Sequence, residues 1–150
     1  MSPNSKSGQY AFLHTGTRTM MRHGMWQELP IKCMPLDSKW KISAHFRHLD
    51  SAGNPSPCNS TIVGGPSALN EFGCPIFRVE VYDNSGANKY WRNMENDIKT
   101  PWITDQYNYY EHTFVMDTTL SARERFFIVA FGVMPNATYL VDDISVVPVL

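Results

Sequence analysis

The stretch that decides the fold is Trp40–His48, WKISAHFRH. Trp40, Ile42, Ala44 and Phe46 alternate with Lys41, Ser43, His45 and Arg47. A period of two places the first set on one face of an extended strand and the second set on the other. Six further segments read the same way. Gly8–His14, Met25–Ile31, Ile76–Tyr82, Tyr109–Met116 and Thr138–Val147 are short, rich in β-branched or aromatic residues, and bounded by turn-forming residues. Arg125–Val133 (RFFIVAFGV) is almost wholly apolar, as a central strand covered on both faces must be. Helical periodicity is scarce, and strand follows strand. That order predicts an all-β chain: an antiparallel β-sandwich of two sheets.

Composition agrees. The chain has 150 residues, of which 43% are hydrophobic, 13% aromatic and only 18% charged. That length supports one domain with a real core. The charged fraction lies below the roughly 25% of average soluble domains. Such a chain fits a β-protein that binds something flat and neutral. The net charge is −1 and no basic stripe stands out, which argues against nucleic acid as a partner. No apolar run reaches the roughly 20 residues of a membrane span.

Two long irregular segments interrupt the strands. Leu49–Pro75 is rich in Gly, Pro, Ser and Asn and holds Cys58 and Cys74; Asp83–Gln106 contains NSGANKYWRNMENDIKTPW. Loops of this length in a compact domain are usually functional. Cys58 and Cys74 stand where a disulfide would staple the first of them, the alternative being three reduced cysteines including Cys33. Asn59-Ser60-Thr61 and Asn136-Ala137-Thr138 are N-glycosylation acceptor patterns. The N-terminus MSPNSKSGQYAF has no apolar signal-peptide core. Together these features suggest one domain, residues 1–150, taken from a longer secreted protein with Met1 added for expression, and hence an extracellular or cell-wall location.

The ordered segments resemble a carbohydrate-binding module of the jelly-roll, galactose-binding-like kind, the group of families 4, 9 and 22. The resemblance rests on Gly16, Arg18, Gly24 and Gln27 in LHTGTRTMMRHGMWQELP, on Trp40 and Arg47 in LDSKWKISAHFRHLD, and on Trp102, Tyr110 and Phe114 in TPWITDQYNYYEHTFVMD. It rests most on the ending, where Tyr139, Val141, Asp142, Asp143, Ile144, Ser145 and Val146 match the group's final strand. It covers roughly Gly8 to Val149. Two features of the group are missing: an Asn/Gly-x-Phe-Glu segment before Gly8, and an acidic residue in Phe126–Val133.

The resemblance implies non-catalytic binding of a polysaccharide or oligosaccharide, tethered to other domains of a parent protein. It also implies a structural Ca²⁺ with Asp142 or Asp143 as a ligand. The other reading of these aspartates is a carboxylate accepting hydrogen bonds from a neighbouring turn. Sugar recognition needs aromatic faces for the C–H side of a pyranose and planar polar groups for its hydroxyls. Arg18 matches a group position that contacts sugar. His45 and Arg47 with Glu80 and Tyr82 form one polar floor if their strands are neighbours; otherwise they are solvated. Trp91 is expected in a polar loop as a stacking platform, and Tyr109 and Glu111 face away from the core if Tyr110 is buried. Trp26, Trp40 and Trp102 are expected in the core. The rival readings are a structural or adhesion domain that binds protein and, behind it, a small glycan-cleaving enzyme such as a polysaccharide lyase. The 14 acidic residues give many accidental carboxylate pairs.

Overall fold

A computed structural model describes residues 5–8, 11–15, 24–62, 73–86, 89–131 and 137–150. Eight strands are present among them: β1 (Phe12–His14), β2 (Met25–Leu29), β3 (Lys39–Leu49), β4 (Ile76–Tyr82), β5 (Lys89–Met94), β6 (Asn108–Val115), β7 (Arg125–Phe131) and β8 (Thr138–Pro148). They form two four-stranded sheets, ordered β1-β8-β3-β6 and β2-β7-β4-β5, with every pairing antiparallel. One turn of helix, α1 (Thr118–Ser121), is capped by Asp117, whose carboxylate accepts from the N–H groups of Thr119 and Leu120.

The alternation read in the sequence sets which faces meet. Ile42, Ala44 and Phe46 of β3, Tyr110 and Phe114 of β6, and Tyr139 and Val141 of β8 turn inward. They meet Phe77, Val79 and Val81 of β4, Phe126, Ile128 and Ala130 of β7, and Met94 of β5. Phe46 lies 5.2 Å from Phe77, 5.8 Å from Tyr110 and 6.0 Å from Tyr139, ring centre to ring centre, so one aromatic cluster spans both sheets. Two buried tyrosines bolt the layers together. Tyr110 donates to the Met94 carbonyl and Tyr139 to the Ala130 carbonyl, each at 2.7 Å. Burial pushes the Tyr110 phenol far up, so it stays a neutral donor.

The disulfide joins Cys58 to Cys74 as expected, and Cys33 is exposed. β7 is central, with Phe126 to Ala130 buried on both faces.

Three expectations need correction. Lys89–Met94, expected in an irregular segment, is the edge strand β5; its charged and amide residues hid the alternation of Tyr90 and Met94 with Trp91. Trp26 is not core: it is 66% exposed on the outer face of β2, while Trp40 and Trp102 do pack against the core. Finally, β3 and β4 lie in different sheets, so His45 and Arg47 share no floor with Glu80 and Tyr82.

Candidate binding face

The outer face of the β2-β7-β4-β5 sheet follows from its registers. Trp26 pairs with Val129, Val129 with Arg78, and Arg78 with Asn93. The next outward row is Glu28, Phe127, Glu80 and Trp91. A third row holds Arg125, Tyr82 and Lys89. Trp26 and Trp91 therefore stand on opposite edge strands of one face. Three strand spacings across the sheet, about 14 Å, and one row along it, about 7 Å, separate them. Both are well exposed, at 66% and 50%.

Between the indoles lies a floor that is polar but dry. Arg78 and Glu80 are each only 7% exposed. The Arg78 guanidinium donates to Glu80 Oε1 at 3.2 Å and to Asn93 Oδ1 at 3.2 Å. Trp91 covers it, with the guanidinium carbon 4.3 Å from the ring centre, a cation–π contact. Glu80 Oε2 accepts from the Tyr82 hydroxyl at 2.6 Å and from Lys89 Nζ at 2.7 Å. Burial pushes the Glu80 carboxyl up, but the bonds from Lys89, Tyr82 and Arg78 outweigh it and hold it below its ordinary value. Burial lowers Lys89, and its bonds to Glu80 and Tyr82 more than restore it, so the pair is ionised.

On the β2 side, Arg125 grips Glu28 with two bonds of 2.9 Å, the forked geometry of guanidinium and carboxylate. That bond holds Glu28 below its ordinary value. Phe127 fills the space between, edge-on to Trp26 and to Tyr82, each at 5.5 Å. The face thus offers two indoles, a buried apolar ring, and fixed planar donors and acceptors.

Of the residues singled out in the sequence, Glu80, Tyr82 and Trp91 come together here. Arg18 lies outside the described residues. The remaining four, His45, Arg47, Tyr109 and Glu111, gather on the outer face of the other sheet, where His45 Nδ1 and Arg47 Nε are buried without a hydrogen-bond partner among the described residues. Tyr109 donates to Glu111 at 2.9 Å, Lys41 lies 3.7 Å from Glu111, and Arg47 bonds Asp105. His45 sits 5.1 Å from the Tyr109 ring and 3.4 Å from Asp143. Burial, then the Lys6 charge, lowers the His45 pKa against the pull of the two aspartates. Trp26, Arg78, Lys89 and Asn93 were missed. The signal for Trp26 was present: in MWQEL it shares parity with Glu28, not with Met25 and Leu29.

Asp142 and Asp143 mark where the last strand bends. Asp143 has φ 52°, and the β3–β8 register shifts beside it. Asp142 Oδ2 accepts from the N–H groups of Lys6 (2.9 Å) and Ser7 (3.1 Å), and Oδ1 from that of Asp143 (2.9 Å). Ser7 bonds Asp143 through its hydroxyl, and Lys6 Nζ lies 4.0 Å from Asp143. Burial raises the Asp142 carboxyl, and these backbone bonds outweigh it and lower it. With both carboxylate oxygens of Asp142 taken by N–H donors and an ammonium beside Asp143, this donor set does not fit a hard dication. Among the described residues, no group of three or more His, Cys, Asp or Glu side chains could hold a metal ion.

No family model matches the chain, and no curated protein matches it. Solved structures do. The CBM22-1 xylan-binding domain of Paenibacillus barcinonensis Xyn10C superposes with a TM-score of 0.63 at 12% identity, over 99% of this chain and 78% of that one. The CBM22-1–GH10 modules of Clostridium thermocellum Xyn10B, complexed with xylohexaose, give 0.60 at 9% identity, over 97% of this chain and 23% of that one. A family 16 carbohydrate-binding module gives 0.52 at 13% identity, over 95% and 79%. At these identities the likeness is one of fold: the chain is an all-β, antiparallel two-sheet jelly roll of the kind seen in family 22 carbohydrate-binding modules.

Proposed function

We propose that this chain is a non-catalytic polysaccharide-binding domain whose site is the outer face of the β2-β7-β4-β5 sheet. The observation that carries this is the placement of Trp26 and Trp91 on opposite edges of one face, flanking the dry Arg78–Glu80 pair. The spacing suits an extended chain of sugars rather than a single ring. Indoles cover the apolar faces of pyranoses, and fixed guanidinium, amide and carboxylate groups match pairs of hydroxyls. Arg18, on the segment between β1 and β2, is assigned to the same site by resemblance alone. One similar protein, the Xyn10B structure, carries its module beside a GH10 module. By analogy the present domain raises the local concentration of a tethered partner on its polysaccharide. The Cys58–Cys74 disulfide supports an oxidising, extracellular setting.

The face is poorly suited to hydrolysis. Glu28 and Glu80 flank Phe127 across two strand spacings, but glycosidic cleavage needs one carboxyl kept protonated. Both are held below their ordinary values by cations.

The test is calorimetric titration with ligands found on a broad glycan array, paired with thermal melts. Removing an indole forfeits about 100 Å² of stacked area, on the order of 2 kcal/mol, or about thirtyfold in affinity. Trp91→Ala, which removes the ring held over Arg78, is expected to lose that much, and Trp26→Ala less, with little change in melting for Trp26→Ala. Tyr109→Ala, on the opposite face, should bind like the parent. A loss confined to Tyr109→Ala moves the site to the other sheet. Failure to bind any glycan favours the structural or adhesion reading.

A further inference from the structure

We propose that Asn59 is an N-glycosylation site, modified as the chain enters an oxidising secretory compartment. Two independent observations carry this. The first is local geometry. Asn59 Oδ1 accepts from the N–H of Thr61 at 3.0 Å and from the Thr61 hydroxyl at 2.7 Å. The Ile62 N–H donates to the Asn59 carbonyl at 3.2 Å, closing a turn over the whole tripeptide. Asn59 is partly exposed, with exposed Ser60 and Thr61 following it. The second is the neighbouring covalent bond: Cys58, the residue before Asn59, is disulfide-bonded to Cys74. Such a bond forms in the same kind of compartment in which asparagine-linked glycans are transferred.

The chemistry needs this arrangement. The donor is an oligosaccharide linked through a pyrophosphate to a polyisoprenyl lipid. Asn59 Nδ2 attacks the anomeric carbon, and a C–N bond forms. The bond from that carbon to the pyrophosphate oxygen breaks, and its electron pair leaves with the lipid pyrophosphate. Nδ2 gives one proton to a base of the transferase, and nothing is oxidised or reduced. As that proton leaves, negative charge collects on Oδ1, where the Thr61 hydroxyl and N–H already point. The turn is built from residues 59–62 alone, so it can form before the sandwich does. In the fold Gly73 packs against this turn, its missing side chain letting the chain pass Ile62; a Cβ there would sit 2.4 Å from the Ile62 oxygen.

Cell-free translation of the chain behind a cleavable secretory leader, with secretory microsomes and with protease protection to show that the chain has entered, tests the site without requiring a stable product. Asn136→Gln is introduced first, so that any remaining modification reports on Asn59. The expected result is a mobility shift reversed by an asparagine-glycan endoglycosidase. It should persist in Thr61→Ser and fall to background in Thr61→Val and in Asn59→Gln. Thr61→Val keeps the shape and removes the hydroxyl donor. Peptide mapping of the shifted product must place the glycan on Asn59. Absence of the shift in Asn136→Gln overturns the proposal, and so does a shift that survives Asn59→Gln.

Discussion

Substituting Glu80 by Gln removes one charge from the driest part of the candidate face and changes little else. The carboxylate is paired with Arg78 at 3.2 Å and Lys89 at 2.7 Å, and it accepts from Tyr82 at 2.6 Å. Lys89 is partly exposed and can turn to water, but Arg78 cannot. The cost is therefore that of leaving one guanidinium buried without its anion. Breaking a buried pair from one side costs about 3–5 kcal/mol. Glutamine still accepts from Tyr82, which places the expectation near the lower limit, about 3 kcal/mol. For a domain of this size that is a fall in Tm of about 6–12 °C.

The assay is thermal and urea denaturation of four proteins: parent, Glu80→Gln, Arg78→Met and the double variant. If the charges depend on each other, the double variant loses less than the sum of the singles, with a coupling of about 2 kcal/mol. The pH dependence gives a second reading. The folded-state pKa of Glu80 is lowered, so its stabilisation is fully present above the ordinary carboxylate value and is lost as pH falls through the folded value. The gap between parent and Glu80→Gln should be widest near neutrality and close in acid. Strict additivity, or a gap that stays constant into acid, refutes the reasoning.

Thiol titration of native protein should find one reactive group, Cys33, and reducing the Cys58–Cys74 bond should cost about 3 kcal/mol for a sequence separation of 16. Asp142→Asn should cost about 1–3 kcal/mol by weakening its bonds to the Lys6 and Ser7 N–H groups, and amide exchange at those two residues should quicken. Excess chelator should leave the parent's melting temperature unchanged; a fall would show that a cation holds this corner and refute the hydrogen-bond account of Asp142.

Much of the fold was legible because a period of two is a strong signal when one face is buried. WKISAHFRH, IFRVEVY and the ending TYLVDDISVV all became strands with the inward sets expected for the first two. RFFIVA read as central and is central. Sheet order was not legible, because nothing local to β3 or β4 says that they face each other across the core instead of pairing. That single unknown merged two outer faces into one expected floor. β5 was lost for another reason. Its inward set is Tyr90, Arg92 and Met94, and Arg92 leaves the core to bond Asp117, so the alternation is broken at its centre.

One prior, that large aromatics in strands are buried and those among polar residues lie in loops, misread Trp26 as core and placed Trp91 in a loop instead of on a strand. Both sit on edge strands, where the outer side of the sheet is open. What holds them there differs. Trp91 is pinned by the Arg78 guanidinium beneath it, which is itself fixed by Glu80 and Asn93. Trp26 rests edge-on against Phe127 and is otherwise exposed. A ring already ordered before contact loses little freedom when a sugar stacks on it, so more of its area appears as affinity. By that reasoning Trp91 is the anchor of the face and Trp26 the more adaptable wall. The buried charge pair, costly for folding on its own, is explained by the indole that it holds in place.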